Sequence, residues 1–165
     1  MPRLLLTLAT IALAASAYAL MLKGWRGRQR RQGDLPPLPA APAGSRPLVG
    51  PVTGLFVGTT AAEDWLDRIA VQHLSHRAAA ALCLDEAGVR VERSGLPPLL
   101  LPWEAVDGAD VETALGGKVV STGMLVLTWR WGGRRLRSAF RPDHRADNEV
   151  LRAAITARLA LEATA

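Results

Sequence analysis

Hydrophobic and polar positions divide the chain into four textures. Leu4 to Leu22 carries no charged side chain. As a helix it would be about 28 Å long, close to the hydrocarbon thickness of a bilayer. It predicts a transmembrane helix over 4–22, preceded by a short N-terminus over 1–3. A basic and then proline-rich stretch follows over 23–51. From Gln32 to Pro51, Pro36, Pro37, Pro39, Pro42, Pro47 and Pro51 are expected to keep the chain from helix and central strand. From residue 52 onward the pattern alternates with the period of strands, and the last twenty or so residues return to helical spacing.

Within 52–165 the expected elements can be placed one by one. "VTGLFVGTT" reads as a strand. "TAAE" (Thr60 to Glu63) has the spacing of a capping box, and Trp65, Leu66, Ile69 and His73 would then share one helical face, predicting a short helix or turn. "AALCLDEAGVRVERSG" reads as a hairpin turning over Asp85 to Gly88. Its register sets Leu84 opposite Val89 and Leu82 opposite Val91 on one face, with Cys83 opposite Arg90 and Ala81 opposite Glu92 on the other. "PLLLPWEAVDGADVET" predicts one or two short strands interrupted at Pro102 and Gly108. "KVVSTGMLVLTWRWGGRRLRSAFR" is the clearest hairpin, with Gly-Gly as its turn. Trp129 with Leu136, Leu127 with Ser138 and Leu125 with Phe140 form its inner face. Arg130 with Arg135, Thr128 with Arg137 and Met124 with Arg141 form the outer face. A closing amphipathic helix is expected over about 143–163, with Asp143 and Asp147 as candidate caps and Val150, Leu151, Ala154, Ile155, Arg158 and Leu159 as its stripe. The expected fold is one N-terminal transmembrane helix plus a mainly-β domain, a small antiparallel barrel or sandwich, closed by that helix.

Charge changes the picture at the membrane end. The 165 residues carry a formal charge of +5. Residues 1–47 hold seven Lys or Arg and one Asp, a net +6; residues 48–165 hold thirteen and fourteen carboxylates, a net −1. A nearly neutral domain argues against nucleic acid as a partner. The basic cluster Lys23, Arg26, Arg28, Arg30 and Arg31 follows the apolar run, and positive residues beside a span stay on the cytoplasmic side. This predicts an uncleaved single-pass anchor in the plasma membrane, N-terminus outside and C-terminal domain in the cytoplasm. The competing reading is a cleaved signal peptide, because "SAYA" offers small residues in the Ala-x-Ala arrangement. Trp25 fits an interfacial anchor. The proline-rich stretch is expected to be a stiff spacer, although "PPLP" also resembles a ligand for proline-binding domains.

Candidate chemistry is sparse. "LGGKVV" fails the phosphate-loop pattern at Glu112 and Val119, leaving a Gly-Gly turn between strands. His73 and His76 lack further ligands nearby for a metal. Glu63, Asp64 and Asp67 suit the start of a helix better than acid–base work. Cys83 is the sole cysteine and has no evident base partner. No catalytic residue, metal site or cofactor is expected, and the protein reads as non-enzymatic. The one suggestive surface is the arginine face. Arg130 directly opposite Arg135 is unfavourable, and Arg137 and Arg141 lie close by. An anionic surface could relieve it, as could the domain's own carboxylates.

The stretches "GLFVGTTAAEDWLDRIAV", "AGVRVERSG", "LPWEAVDGADVETALGGKVVSTGMLVLTWRW" and "SAFRPDHRADN" resemble a family of small actinobacterial single-pass membrane proteins with a bacterial PH-like domain. The resemblance covers most of Gly54 to Asn148 and implies a PH-like fold. Members of that family are labelled only as membrane, export or transporter proteins, and the resemblance implies no catalytic residue. The expected function is a membrane-tethered interaction module binding an unidentified protein or anionic lipid headgroups. The alternative is an accessory subunit of an exporter or transporter.

Overall fold

The computed structural model describes residues 2–40, 47–115 and 118–164, the side chains of residues 2 and 113–122 excepted. It contains two compact units, Met1–Asp34 and Leu35–Ala165.

The first unit is built on α1, Pro2–Arg31. An 18-residue window of it has a mean hydropathy of 2.0 with none of it buried, so the helix is long and apolar enough to cross a membrane. Thr7, Thr10 and Ser16 interrupt the apolar run. Each hydroxyl donates to the carbonyl four residues earlier, at 2.9, 2.9 and 2.8 Å, so none asks for water. The helix extends beyond the span expected over 4–22. It continues through Lys23 and Arg26, and its last turn holds Arg28, Arg30 and Arg31, where cations complement the helix dipole.

The second unit is a seven-stranded antiparallel sheet. Its strands are β1 Val49–Ala61, β2 Ala78–Asp85, β3 Gly88–Arg93, β4 Leu99–Pro102, β5 Val106–Leu115, β6 Lys118–Trp131 and β7 Arg134–Pro142, in the spatial order β4-β3-β2-β1-β7-β6-β5. A single 3-10 turn, Trp103–Ala105, joins β4 to β5. α2, Ala146–Glu162, follows β7 and packs mainly on β5 and β6. Leu82, Leu84, Val89 and Val91 from one half of the sheet share one core with Leu125, Leu127, Trp129, Leu136 and Phe140 from the other, together with Leu151 and Ile155 of α2. One face of a single sheet can enclose one core only by bending around it, and α2 adds Leu151 and Ile155 to that core.

Both hairpins form in the expected register. Cys83 opposes Arg90 and Leu82 opposes Val91 in the first. In the second, Trp129 opposes Leu136 and Arg130 opposes Arg135. Gly132 and Gly133 turn it with φ of 54° and 74°, the two left-handed positions that a tight two-residue hairpin turn requires. Inner Trp129 is fully buried, and its indole N–H donates to Ser138 Oγ at 2.9 Å, so the ring carries no orphaned donor into the core. The β6–β7 ladder begins at Leu125, so the expected Met124–Arg141 pair does not form. Met124 opposes Glu112 on β5, and Arg141 opposes Leu55 on β1.

Further expectations are corrected. The capping-box segment is not a helix. Thr60 is engaged in a bridge with Arg68, Ala61 N–H donates to Asp67 O at 2.9 Å, and Ile69 N–H donates to Thr59 O at 3.0 Å. The end of β1 therefore takes this segment as a returning loop, and a residue committed to a ladder cannot cap a helix. Asp143 and Asp147 do not cap α2. Arg145 holds the N-cap position with no side-chain bond, and Asp147 lies in the first turn. Val150 faces solvent, while Leu151 and Ile155 are fully buried. Finally, the packed domain begins well before residue 52. Leu35, in the stretch read as spacer, belongs to the core. The Gly-Gly turn at residues 116–117 lies outside the described residues, between Leu115 and Lys118, which oppose each other.

Candidate functional site

The arginine face is built where β5, β6 and β7 run side by side. β5 carries a bulge between Val106 and Gly108, which inserts Asp107 as an extra residue opposite the Trp129–Thr128 step. Its carboxylate receives Arg130 at 2.8 Å and Arg135 at 3.5 Å. The like-charge pair is thus bridged by one shared anion. Arg137 pairs with Glu112. Because Arg137 sits on β7 and Glu112 on β5, this pair crosses β6 between Thr128 and Met124 and lies over buried Val126. Arg141 is exposed on β7. The structure therefore brings three of the four expected arginines together with the domain's own carboxylates. The Arg130 and Arg135 side chains are mostly exposed, so each of their contacts with Asp107 contributes no more than about 1 kcal/mol. The "AVDGADVET" stretch held the signal in its acidic residues. The bulge that aims Asp107 across β6 was not visible there.

The other titratable groups are dispersed. His73 and His76 meet edge to face at 5.1 Å and both are exposed. Among the described residues no group of three His, Cys, Asp or Glu side chains could hold a metal ion. Cys83 is buried beside a buried ion pair, Asp85 and Arg90, joined at 2.6 Å and extended to Glu92. Burial raises the Cys83 thiol above its ordinary range, with Arg90 opposing and Asp85 reinforcing the shift. The hydrogen bond to Asp85 holds Arg90 charged. This cluster is a polar staple on β2–β3. Arg93 is different. Burial lowers its pKa, its guanidinium donates to the carbonyls of His73 and Pro97, and it stacks over the Phe56 ring.

Two surface features at the β1–β2 connection were not anticipated. The first is a tight turn, Asp64 to Asp67. Asp64 Oδ1 accepts from Leu66 N–H at 2.9 Å, Asp67 N–H donates to Asp64 O at 3.0 Å, and neighbouring Ala62 N–H donates to Arg135 O at 2.9 Å. The two central residues, Trp65 and Leu66, are 48% and 60% exposed. Glu63 and Asp64 flank them. A firmly hydrogen-bonded turn thus holds its two largest apolar side chains out into solvent.

The second is the seat of Leu35–Leu38. Gln72 and His73 both take left-handed backbone conformations, φ 53° and 57°. From that position the Gln72 amide donates to Leu35 O at 3.2 Å and Pro36 O at 2.8 Å, and accepts from Leu38 N–H at 3.0 Å. The Trp131 indole N–H also donates to Pro36 O, at 2.8 Å. A Cβ on Gly132 would stand 2.6 Å from the Pro36 ring, so the hairpin turn approaches the segment as closely as only glycine permits.

Among comparisons with known proteins, a family model described as bacterial PH domain-like matches residues 32–156. No curated protein and no solved structure matches the chain.

Proposed function

The chain belongs to the bacterial PH domain-like family, and from that membership we propose that it is a non-enzymatic, membrane-anchored module that binds a partner protein. In this reading α1 is an uncleaved anchor in the plasma membrane. Its basic last turns keep that end, and the domain after it, in the cytoplasm.

The observation that carries the reading is the Trp65–Leu66 turn. Hydrogen bonds at both ends pre-organise it, and it exposes a Trp, the residue type most enriched among binding hot spots. The acidic rim of Glu63 and Asp64 suits a partner with an apolar pocket edged by Lys or Arg. Anionic lipid is the weaker alternative, because Arg130, Arg135 and Arg137 already have carboxylate partners.

The test uses the full chain, solubilised in mild detergent, as wild type and as Trp65→Ser with Leu66→Ser. Co-purification of a defined protein with wild type but not with the variant, at unchanged melting temperature, is the expected result. A multi-span protein captured this way would make the chain an accessory subunit of a transporter. Equal capture by both forms refutes the turn as the binding surface.

A further inference from the structure

We infer that Gln72, Trp131 and Gly132 form a binding site for an extended Leu-Pro-Pro-Leu peptide, filled in cis by this chain's own Leu35–Leu38. The site is independent of the Trp65–Leu66 turn.

The chemistry of the seat is that of peptide recognition. Gln72 reads three main-chain groups with one side chain, and Trp131 reads one of them again. Pro36 and Pro37 have no N–H, so the two central residues bring no donor that the seat would have to satisfy. Any other residue there would add one. An extended proline-rich strand repeats every three residues, which puts Leu35 and Leu38 on the same edge. Leu35 is buried in the core and Leu38 packs against it. Gly132 leaves the space that the Pro36 ring enters. The left-handed geometry at Gln72 and His73 is costly for residues with side chains. It occurs where it aims the Gln72 amide at the segment and the His73 carbonyl at Arg93.

Because Leu35–Leu38 belongs to the same chain as its seat, a peptide supplied in trans competes with a tethered copy and binds only when the cis copy is disabled.

Hydrogen exchange on the full chain in detergent micelles gives a clean readout. Leu38 has the only main-chain N–H between Pro36 and Pro39. It should exchange at least tenfold more slowly than a free amide. Gln72→Ala should abolish that protection while the β6–β7 amides stay protected, and Trp131→Phe should weaken it. Free exchange of Leu38 in the wild type, or protection that survives Gln72→Ala, overturns the inference. In the second arm a fluorescent peptide of residues 33–40 is added to the full chain carrying Leu35→Ser and Leu38→Ser. Saturable binding at least tenfold tighter than to wild type is expected, with none for a peptide carrying the same two serines. No binding by a double variant whose sheet amides remain protected refutes a peptide site. If that variant unfolds, the Gln72→Ala exchange result decides alone.

Discussion

Leu35 and Leu48 stand in the same proline-rich stretch, and the structure assigns them opposite roles. Leu35 is 6% exposed and part of the core, whereas the Leu48 side chain is 57% exposed. Leu35→Ala removes three carbons, roughly 2.4 kcal/mol of transfer free energy at about 0.8 kcal/mol each. A residual cavity adds to this, but the segment lies at the rim of the core and can partly collapse, so a total of about 2–3 kcal/mol is expected. For a domain of this size that corresponds to a fall in melting temperature of roughly 8–12 °C. Leu48→Ala should stay within about 0.5 kcal/mol of wild type, since its main-chain N–H still donates to Leu84 O. Thermal unfolding of the full chain in micelles, followed by near-UV circular dichroism from buried Trp129 and Trp103, measures both. If Leu35→Ala melts with Leu48→Ala and wild type, the segment is a spacer and its seating is not part of the fold.

On α2, Ile155→Ala should cost about 3 kcal/mol, because the side chain is fully buried, while Val150→Ala, five residues earlier and 56% exposed, should be nearly neutral; equal effects in the same unfolding assay would show that the helix packs by another face. Asp107→Asn should free Arg130 and Arg135 together, so the variant should sediment with anionic vesicles more than wild type does, in a salt-sensitive way and by up to about 1 kcal/mol per arginine. Identical sedimentation would mean that this face does not reach a lipid surface. The thiol of Cys83 is raised by burial, so the folded state keeps it neutral where the unfolded chain ionises it. Its contribution to stability should be complete below about pH 9 and should be lost as pH rises above that, toward the higher folded value. A pH series of melting temperatures should show that decline in wild type and a smaller one in Cys83→Ala, and iodoacetamide should label the native thiol slowly until the domain unfolds.

What the sequence determined by itself is local in origin. Alternation with a period of two, read outward from a two-residue turn, admits one register without moving every inner side chain to the outer face. That is why the order of residues alone suffices to pair Leu82 with Val91 and Trp129 with Leu136. A run of nineteen uncharged residues followed by five cations likewise reads as a candidate span without tertiary information, and the spacing of Leu151 and Ile155 reads as one buried helical face. The tertiary structure decided whatever depended on residues far apart. The "TAAE" box is a sound local signal for a helix. It lost because Thr59, Thr60 and Ala61 are already committed to β1, where pairing with Ser138, Arg137 and Leu136 and bonds to the returning loop satisfy groups that a helix would leave unpaired. Relief of the like-charge pair Arg130–Arg135 by the domain's own carboxylates was legible, but not which one, because Asp107 is more than twenty residues away and points across β6 only through a bulge. The proline-rich segment looked like a spacer because Gln72 and Trp131, which hold Pro36, lie 36 and 95 residues further on. A spacing rule sees neighbours within a turn or a hairpin, whereas the seat of Leu35–Leu38 exists only after the β1–β2 loop and the β6–β7 turn have folded beside each other.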